Sequence, residues 1–129
     1  MSLFTRVVVA YDGSPGSQRA LMLAIRLASD QEATLLILSI AEHVREQQSA
    51  LRESQERALR LAGEMGAAQA QAILEAGHAA QLIVAVAERE HADLLVLGRS
   101  GHSEVWGRFM GSTADKVTRH ATCSVLVAH

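Results

Sequence analysis

Near the start of the chain, residues 5–11 read TRVVVAY and residues 12–17 read DGSPGS. A short β-branched run that is apolar on both faces is typical of a strand buried on both sides. The second segment consists of turn-forming residues, and Ser14 followed by Pro15 predicts the cap and the first position of a helix. Apolar residues then recur at helical spacing: Ala20, Leu21, Ala24, Ile25 and Ala28. The opening therefore predicts a strand, a turn and an amphipathic helix.

The same alternation of strand and helix continues to the end of the chain. Further strands are predicted at residues 34–40, 69–75, 93–97 and 124–128, and further helices at residues 42–66, 78–91 and 112–121. Strands that alternate with helices require a parallel sheet with right-handed crossovers. No break in composition indicates a second domain, so residues 1–129 are predicted to form one open, doubly wound α/β domain. Ligands bind such sheets at the carboxyl ends of the strands, here the connections after the first and fourth strands.

Composition excludes several classes of protein. The chain has 129 residues and a net charge of −2, without the basic stripe that nucleic-acid binding requires. Its single cysteine excludes an intramolecular disulfide framework and a cysteine-based zinc site. No apolar run approaches the roughly 18 residues of a membrane span, and residues 1–6 lack the features of a secretory signal, so a cytoplasmic location is expected. Lys116 is the only lysine, so no Gly-Lys-Ser/Thr sequence exists and a P-loop NTPase is excluded.

The connection after the fourth predicted strand has the chemistry of a phosphate site. It places 12 residues between Gly98 and Gly111, whereas such connections usually have about 4–6. Gly98 and Gly101 allow the backbone to pass close to a bulky polyanion. The helix that follows begins with Ser112 and Thr113, and a helix N-terminus offers unpaired amides and a positive dipole end. The alternative is that the glycines only form turns and that Ser112 is an ordinary helix cap.

Other polar side chains near these two connections also suit a nucleotide. Asp12 can accept hydrogen bonds from ribose hydroxyls or from the amino group of adenine; its alternative is an Asx turn or a helix cap. Arg99 and Arg108 either neutralise phosphate charge or are simply solvated. His102 lies inside the long connection, but the six histidines of the chain show no metal-ligand spacing, so no metal site is predicted.

Three segments resemble the universal stress protein family. Residues 9–14 (VAYDGS) resemble the opening of that family, and residues 115–127 resemble its closing segment. The pattern Gly98-x2-Gly101-x9-Gly111-Ser112 matches the family's nucleotide-binding signature in full. The resemblance covers the whole chain and implies a five-stranded parallel sheet in the order 3-2-1-4-5 with four helices on its two faces.

The resemblance also implies an ATP-binding member, with Mg²⁺ accompanying the nucleotide. Asp12 would face the adenosine, and Ile40, at the end of the second strand, would line the adenine pocket. For the ribose and phosphates, the resemblance implies Gly98, Gly101, Gly111, Ser112 and Thr113. Arg99 is a further candidate because of its charge. Family members commonly dimerise through the last strand, which implies pairing along Val125, Leu126 and Val127.

These expectations favour a nucleotide-dependent homodimeric sensor that regulates an unidentified protein partner. Two alternatives stay open: a slow ATPase or phosphotransferase, and an interaction module with a vestigial nucleotide site. Phosphoryl transfer needs a positioned base, and the nearby candidates Asp12, His102 and Glu104 have no spacing typical of catalysis. No catalytic residue is therefore predicted. A site that lacks the P-loop lysine suits binding better than rapid phosphoryl transfer.

Overall fold

The computed structural model describes residues 2–42, 45–99 and 111–129. The elements are β1 (Arg6–Ala10), α1 (Pro15–Gln31), β2 (Thr34–Ala41), α2 (Arg45–Glu64), β3 (Ala70–Ala76), α3 (Ala79–Arg89), β4 (Leu94–Gly98), α4 (Ser112–His120) and β5 (Ser124–Ala128). The predicted alternation of strands and helices is confirmed, with boundaries that differ by up to three residues. As predicted, Ser14 caps α1 and Pro15 is its first residue.

The five strands form one parallel sheet in the order β3-β2-β1-β4-β5, which confirms the expected topology. β1 lies at the centre, where Val8 pairs with Leu36 of β2 and with Leu95 of β4. These three side chains are at most 1% exposed, as expected for strands covered on both faces.

Two apolar layers cover the two faces of this sheet. Val7 and Val9 pack in a cluster with residues of α1 and α2, including Ile25 and Ala62. Val8 belongs to the opposite cluster, which contains residues of α3 and α4. Successive residues of a strand point to opposite faces, so the run at 7–9 contributes to both layers at once.

The buried face of α2 contains a polar residue that the hydrophobic pattern did not reveal. Gln55 is 4% exposed, and its Nε2 donates to the carbonyl oxygens of Ile37 (3.2 Å) and Ile73 (2.8 Å). Its amide thereby links α2 to β2 and β3. None of the helices within the described ranges is both long and apolar enough to cross a membrane.

At the amino end of the sheet, a carboxylate links the starts of two neighbouring strands. Asp93 accepts hydrogen bonds from the backbone N–H of Thr5 (2.7 Å), the hydroxyl of Thr5 (2.9 Å) and the N–H of Arg6 (3.0 Å). Partial burial raises the pKa of the Asp93 carboxyl, but these hydrogen bonds lower it by more, so its pKa lies below the ordinary value. Asp93 therefore connects the start of β4 to the start of β1 as an ionised group.

Candidate functional site

A cleft of about 280 Å³ opens at the other end of the sheet, beyond the carboxyl ends of β1, β2 and β4. β1 lies between β2 and β4. From β1 the chain continues to β2 on one side, and from β3 it crosses back to β4 on the other side. This is the switch point at which open α/β sheets bind ligands. The first residues of α3 and α4 and the turn before α1 complete the walls.

Hydrogen bonds hold the chain in place as it leaves β1. The N–H of Tyr11 donates to Leu38 O (2.8 Å), and the hydroxyl of Ser39 donates to Tyr11 O (2.6 Å). Gly13 then adopts φ +85°, a conformation that side chains with a Cβ rarely adopt. The turn after β1 is therefore attached to β2 on the side from which Ile40 reaches the cleft.

Asp12, a candidate ligand-facing residue, lies in this turn and lines the cleft. Its Oδ1 accepts the N–H of Ser14 (2.9 Å), so the Asx turn is present as well. Partial burial raises the pKa of the Asp12 carboxyl, but hydrogen bonds with Ser14 and Ser17 lower it by more, which leaves the pKa below its ordinary value. Asp12 is therefore ionised at neutral pH and can act only as a hydrogen-bond acceptor.

The apolar part of the cleft lies between β2 and α3. Leu38 and Ile40 line it from β2, and Ala79 and Ile83 line it from α3. Ile40 was predicted here from the family resemblance. The two α3 residues were missed because their helical, apolar pattern is that of ordinary core residues. Glu42 also lines the cleft and was not predicted as a site residue.

Gly98 lines the cleft, but the structure gives a packing reason for its lack of a side chain. A Cβ at this position would lie 2.6 Å from both the carbonyl carbon and the oxygen of Gly16 in α1. Such a distance is impossible without a backbone shift, so Gly98 allows the first turn of α1 to approach β4. Neither a turn nor a ligand is needed to explain this glycine. Gly101 lies outside the described residues.

The start of α4 forms the polar wall. Gly111, not Ser112, occupies the cap position, and its N–H donates to Arg99 O (2.6 Å). Ser112 and Thr113 are thus the first two helical residues, and both line the cleft. The interpretation of Ser112 as the helix cap is therefore wrong. The first amides of a helix have no partner within the helix, so this wall offers donors as well as hydroxyls.

Arg99 lines the cleft but directs its guanidinium to the end of the chain. Its backbone N–H donates to Ala128 O (3.0 Å), and its Nη1 lies 3.2 Å from Nδ1 of His129. Lys116, the only lysine, is an exposed residue of α4 and does not line the cleft.

The remaining side chains that could carry chemistry are three residues of the connection after β4, the potential metal ligands and Cys123. His102, Glu104 and Arg108 lie outside the described residues. Over the described residues, no cluster of three or more His, Cys, Asp or Glu side chains could hold a metal ion. Cys123 is half-buried, and burial raises the pKa of its thiol, which makes it a poor nucleophile at neutral pH.

The fold is a doubly wound α/β sheet with a cleft at its switch point. The profile of the universal stress protein family matches residues 3–129, and the chain belongs to this family.

A universal stress protein of Thermus aquaticus is 33% identical over 135 residues, which cover 97% of this chain and 98% of that protein. Among solved structures, a universal stress protein in complex with cAMP has a TM-score of 0.84 and 30% identity, over 99% of this chain and 98% of that one. UspA from Lactobacillus plantarum has a TM-score of 0.86 at 22% identity, with both chains fully covered, and supports the fold alone.

Proposed function

We propose that this chain is a stress-response protein that binds ATP in the cleft and acts as a nucleotide-dependent homodimeric sensor. The observation that carries the proposal is the convergence of three kinds of surface on one cleft. Asp12 supplies an ionised acceptor, Ile40 and Ile83 supply an apolar wall, and residues 111–113 supply a helix N-terminus with two hydroxyls. The cAMP complex of a relative supports a ligand of the adenine nucleotide class.

Each surface matches one part of ATP. The apolar wall would cover the faces of the adenine, and Asp12 would accept hydrogen bonds from the ribose hydroxyls. The triphosphate would lie against the first turn of α4, where amide donors and the helix dipole favour negative charge. Gly98, Arg99 and Gly101 belong to the same phosphate segment in the family signature.

Mg²⁺ fits this arrangement as a companion of the nucleotide. Mg²⁺ in nucleotide sites is usually held by substrate phosphates and one or two carboxylates. Asp12 is assigned to the ribose, so the phosphates of the nucleotide would hold the ion. The ion would neutralise part of the charge of the triphosphate.

A titration with ATP and a charge substitution at α4 test the site. The unmodified protein is expected to bind ATP with a Kd between roughly 1 μM and 1 mM in calorimetry. Ser112→Glu places a carboxylate at the first position of α4, where the helix dipole tolerates it but phosphate does not. We expect Ser112→Glu to weaken ATP binding about tenfold or more, with the free energy of unfolding maintained.

Ser49→Glu is the matched control, because Ser49 is an exposed residue of α2 and the change in charge is identical. Equal affinities of the two variants would place ATP elsewhere. The absence of saturable binding to the unmodified protein at millimolar ATP would contradict the proposed function and favour an interaction module.

The homodimer would form along β5. This strand lies at one edge of the sheet, and its central residues Val125, Leu126 and Val127 are only partly buried. Apolar edge strands are commonly paired or covered, because their free backbone groups invite another strand. Sedimentation at micromolar concentration is expected to give twice the 13.8 kDa mass of the chain. A single 13.8 kDa species would contradict the dimer.

A further inference from the structure

Arg99 joins three elements at the edge of the cleft. Its N–H donates to Ala128 O at the end of β5, and its carbonyl accepts the N–H of Gly111 at the start of α4. Its guanidinium extends to His129, with 3.2 Å between Nη1 and Nδ1. Among the described residues, the side chain of Arg99 has its hydrogen-bond partner in His129, just beyond β5.

This contact exists in only one protonation state of the imidazole. A guanidinium is always a donor, so Nδ1 of His129 must be the acceptor and must carry no proton. A protonated imidazole has no acceptor nitrogen and adds a second positive charge beside Arg99. A hydrogen bond between Nη1 and Nδ1 therefore requires the neutral imidazole with its proton on Nε2.

We propose that His129 is a positioning residue for Arg99 and that its protonation strengthens the attraction of the cleft for phosphate. Neutral His129 holds the guanidinium towards the end of β5. Protonated His129 releases it, so that it can turn to the phosphates of a bound nucleotide. This inference rests on the proposed nucleotide site and adds a response to pH.

Other charged groups belong to the elements that meet at this end of the sheet. They are Asp12 and Glu42 on the cleft, Arg19 on α1, and Asp115 and Lys116 on α4. Carboxylates titrate well below neutral pH and lysine and arginine well above it, whereas histidine ordinarily changes charge between pH 5 and 8. The pKa of Asp12 is lowered further, so it remains ionised throughout. His102, in the segment 100–110, lies outside the described residues.

Calorimetric titration with ATP at pH 5.5 and pH 8.0 tests the inference. The terminal phosphate of ATP also titrates in this range, so the pH effect is measured relative to His129→Gln. Glutamine retains an acceptor for Arg99 but does not change charge. We expect the ratio of Kd at pH 8.0 to Kd at pH 5.5 to be about two- to fivefold larger in the unmodified protein than in His129→Gln, as for one exposed charge.

His120→Gln is the matched control, because His120 is exposed at the far end of α4, and it should retain the ratio of the unmodified protein. Arg99→Gln distinguishes positioning from direct attraction. If His129 acts through Arg99, replacing His129 in the Arg99→Gln background leaves the ratio unchanged.

Each outcome has a definite meaning. Equal ratios in the unmodified protein and His129→Gln would overturn the inference and leave ATP binding intact. A His129 effect that persists in full without Arg99 would overturn the positioning role. If ATP binds neither protein at either pH, the proposed function fails and the inference fails with it.

Discussion

The two ends of the sheet each carry an aspartate with a lowered pKa, but they use it differently. At the amino end, Asp93 accepts three hydrogen bonds from Thr5 and Arg6, residues 88 and 87 positions away. At the carboxyl end, Asp12 accepts the N–H of Ser14, two positions away, and lines an open cleft. Asp93 connects distant parts of the chain, whereas Asp12 organises one turn. The same chemical group therefore joins two strands at one end and faces a cleft at the other.

The largest effect is expected at the base of the cleft, for Gly98→Ala. The new Cβ would lie 2.6 Å from the backbone of Gly16, so α1 or β4 must move. We expect the free energy of unfolding to fall by about 1–3 kcal/mol in urea denaturation, as for other overpacked sites. A loss of this size would show that the carboxyl end of the sheet is tightly packed beneath the open cleft.

Gly63→Ala is the matched control for this prediction. Gly63 lies within α2, and a Cβ there would meet no atom within 4 Å. Alanine has a higher helix propensity than glycine, so the free energy of unfolding of this variant should rise by up to about 1 kcal/mol. A Gly98→Ala protein as stable as the unmodified one would contradict the packing explanation for Gly98.

The second effect separates the two aspartates. Asp93→Ala removes the acceptor for three donors and should lower the free energy of unfolding by about 1–2 kcal/mol, with ATP affinity maintained. Asp12→Ala removes one local hydrogen bond and should cost less stability, but it should weaken ATP binding about tenfold. Urea denaturation and calorimetry on both variants measure the two effects. A larger loss of stability in Asp12→Ala, together with a larger loss of ATP affinity in Asp93→Ala, would contradict the comparison between the two ends.

The parts of the site that sequence can predict are the local ones. Ser14 and Pro15 predict the start of α1 because caps and proline act on their own neighbours. Gly98 and Gly16 are 82 positions apart, so their contact follows only from the packing of α1 on β4. Ala79 carries no chemical signal, and it reaches the cleft only because α3 crosses the sheet beside β2.

The overall alternation of elements was predictable for a related reason. Buried parallel strands are short apolar runs, and amphipathic helices have a period of 3.6, so both are visible along the chain. The strand order depends on which strands meet in space, and the family resemblance supplied it. Gln55 shows the limit of the pattern, because a polar residue on the buried face of α2 is explained only by the carbonyl groups it meets.

The smallest effect is a loss of stability in acid. Both aspartates have a pKa below the ordinary value of about 3.9, so each stabilises the folded state above that pH. The contribution is lost as the pH falls through the lowered pKa of the folded state. Urea denaturation at pH 5.5 and pH 2.5 should show a smaller acid-induced loss for Asp93→Asn than for the unmodified protein. Equal losses would mean that Asp93 does not stabilise the fold as a carboxylate.

The most direct test of the carboxyl-end site is an amide NMR spectrum recorded during a titration with ATP. We expect saturable shifts at Asp12, Ile40 and residues 111–113, with unchanged amides at Thr5, Arg6 and Asp93. This pattern would place the nucleotide at the open end of the sheet. Shifts centred on the amino end, or a spectrum that does not respond to millimolar ATP, would contradict it.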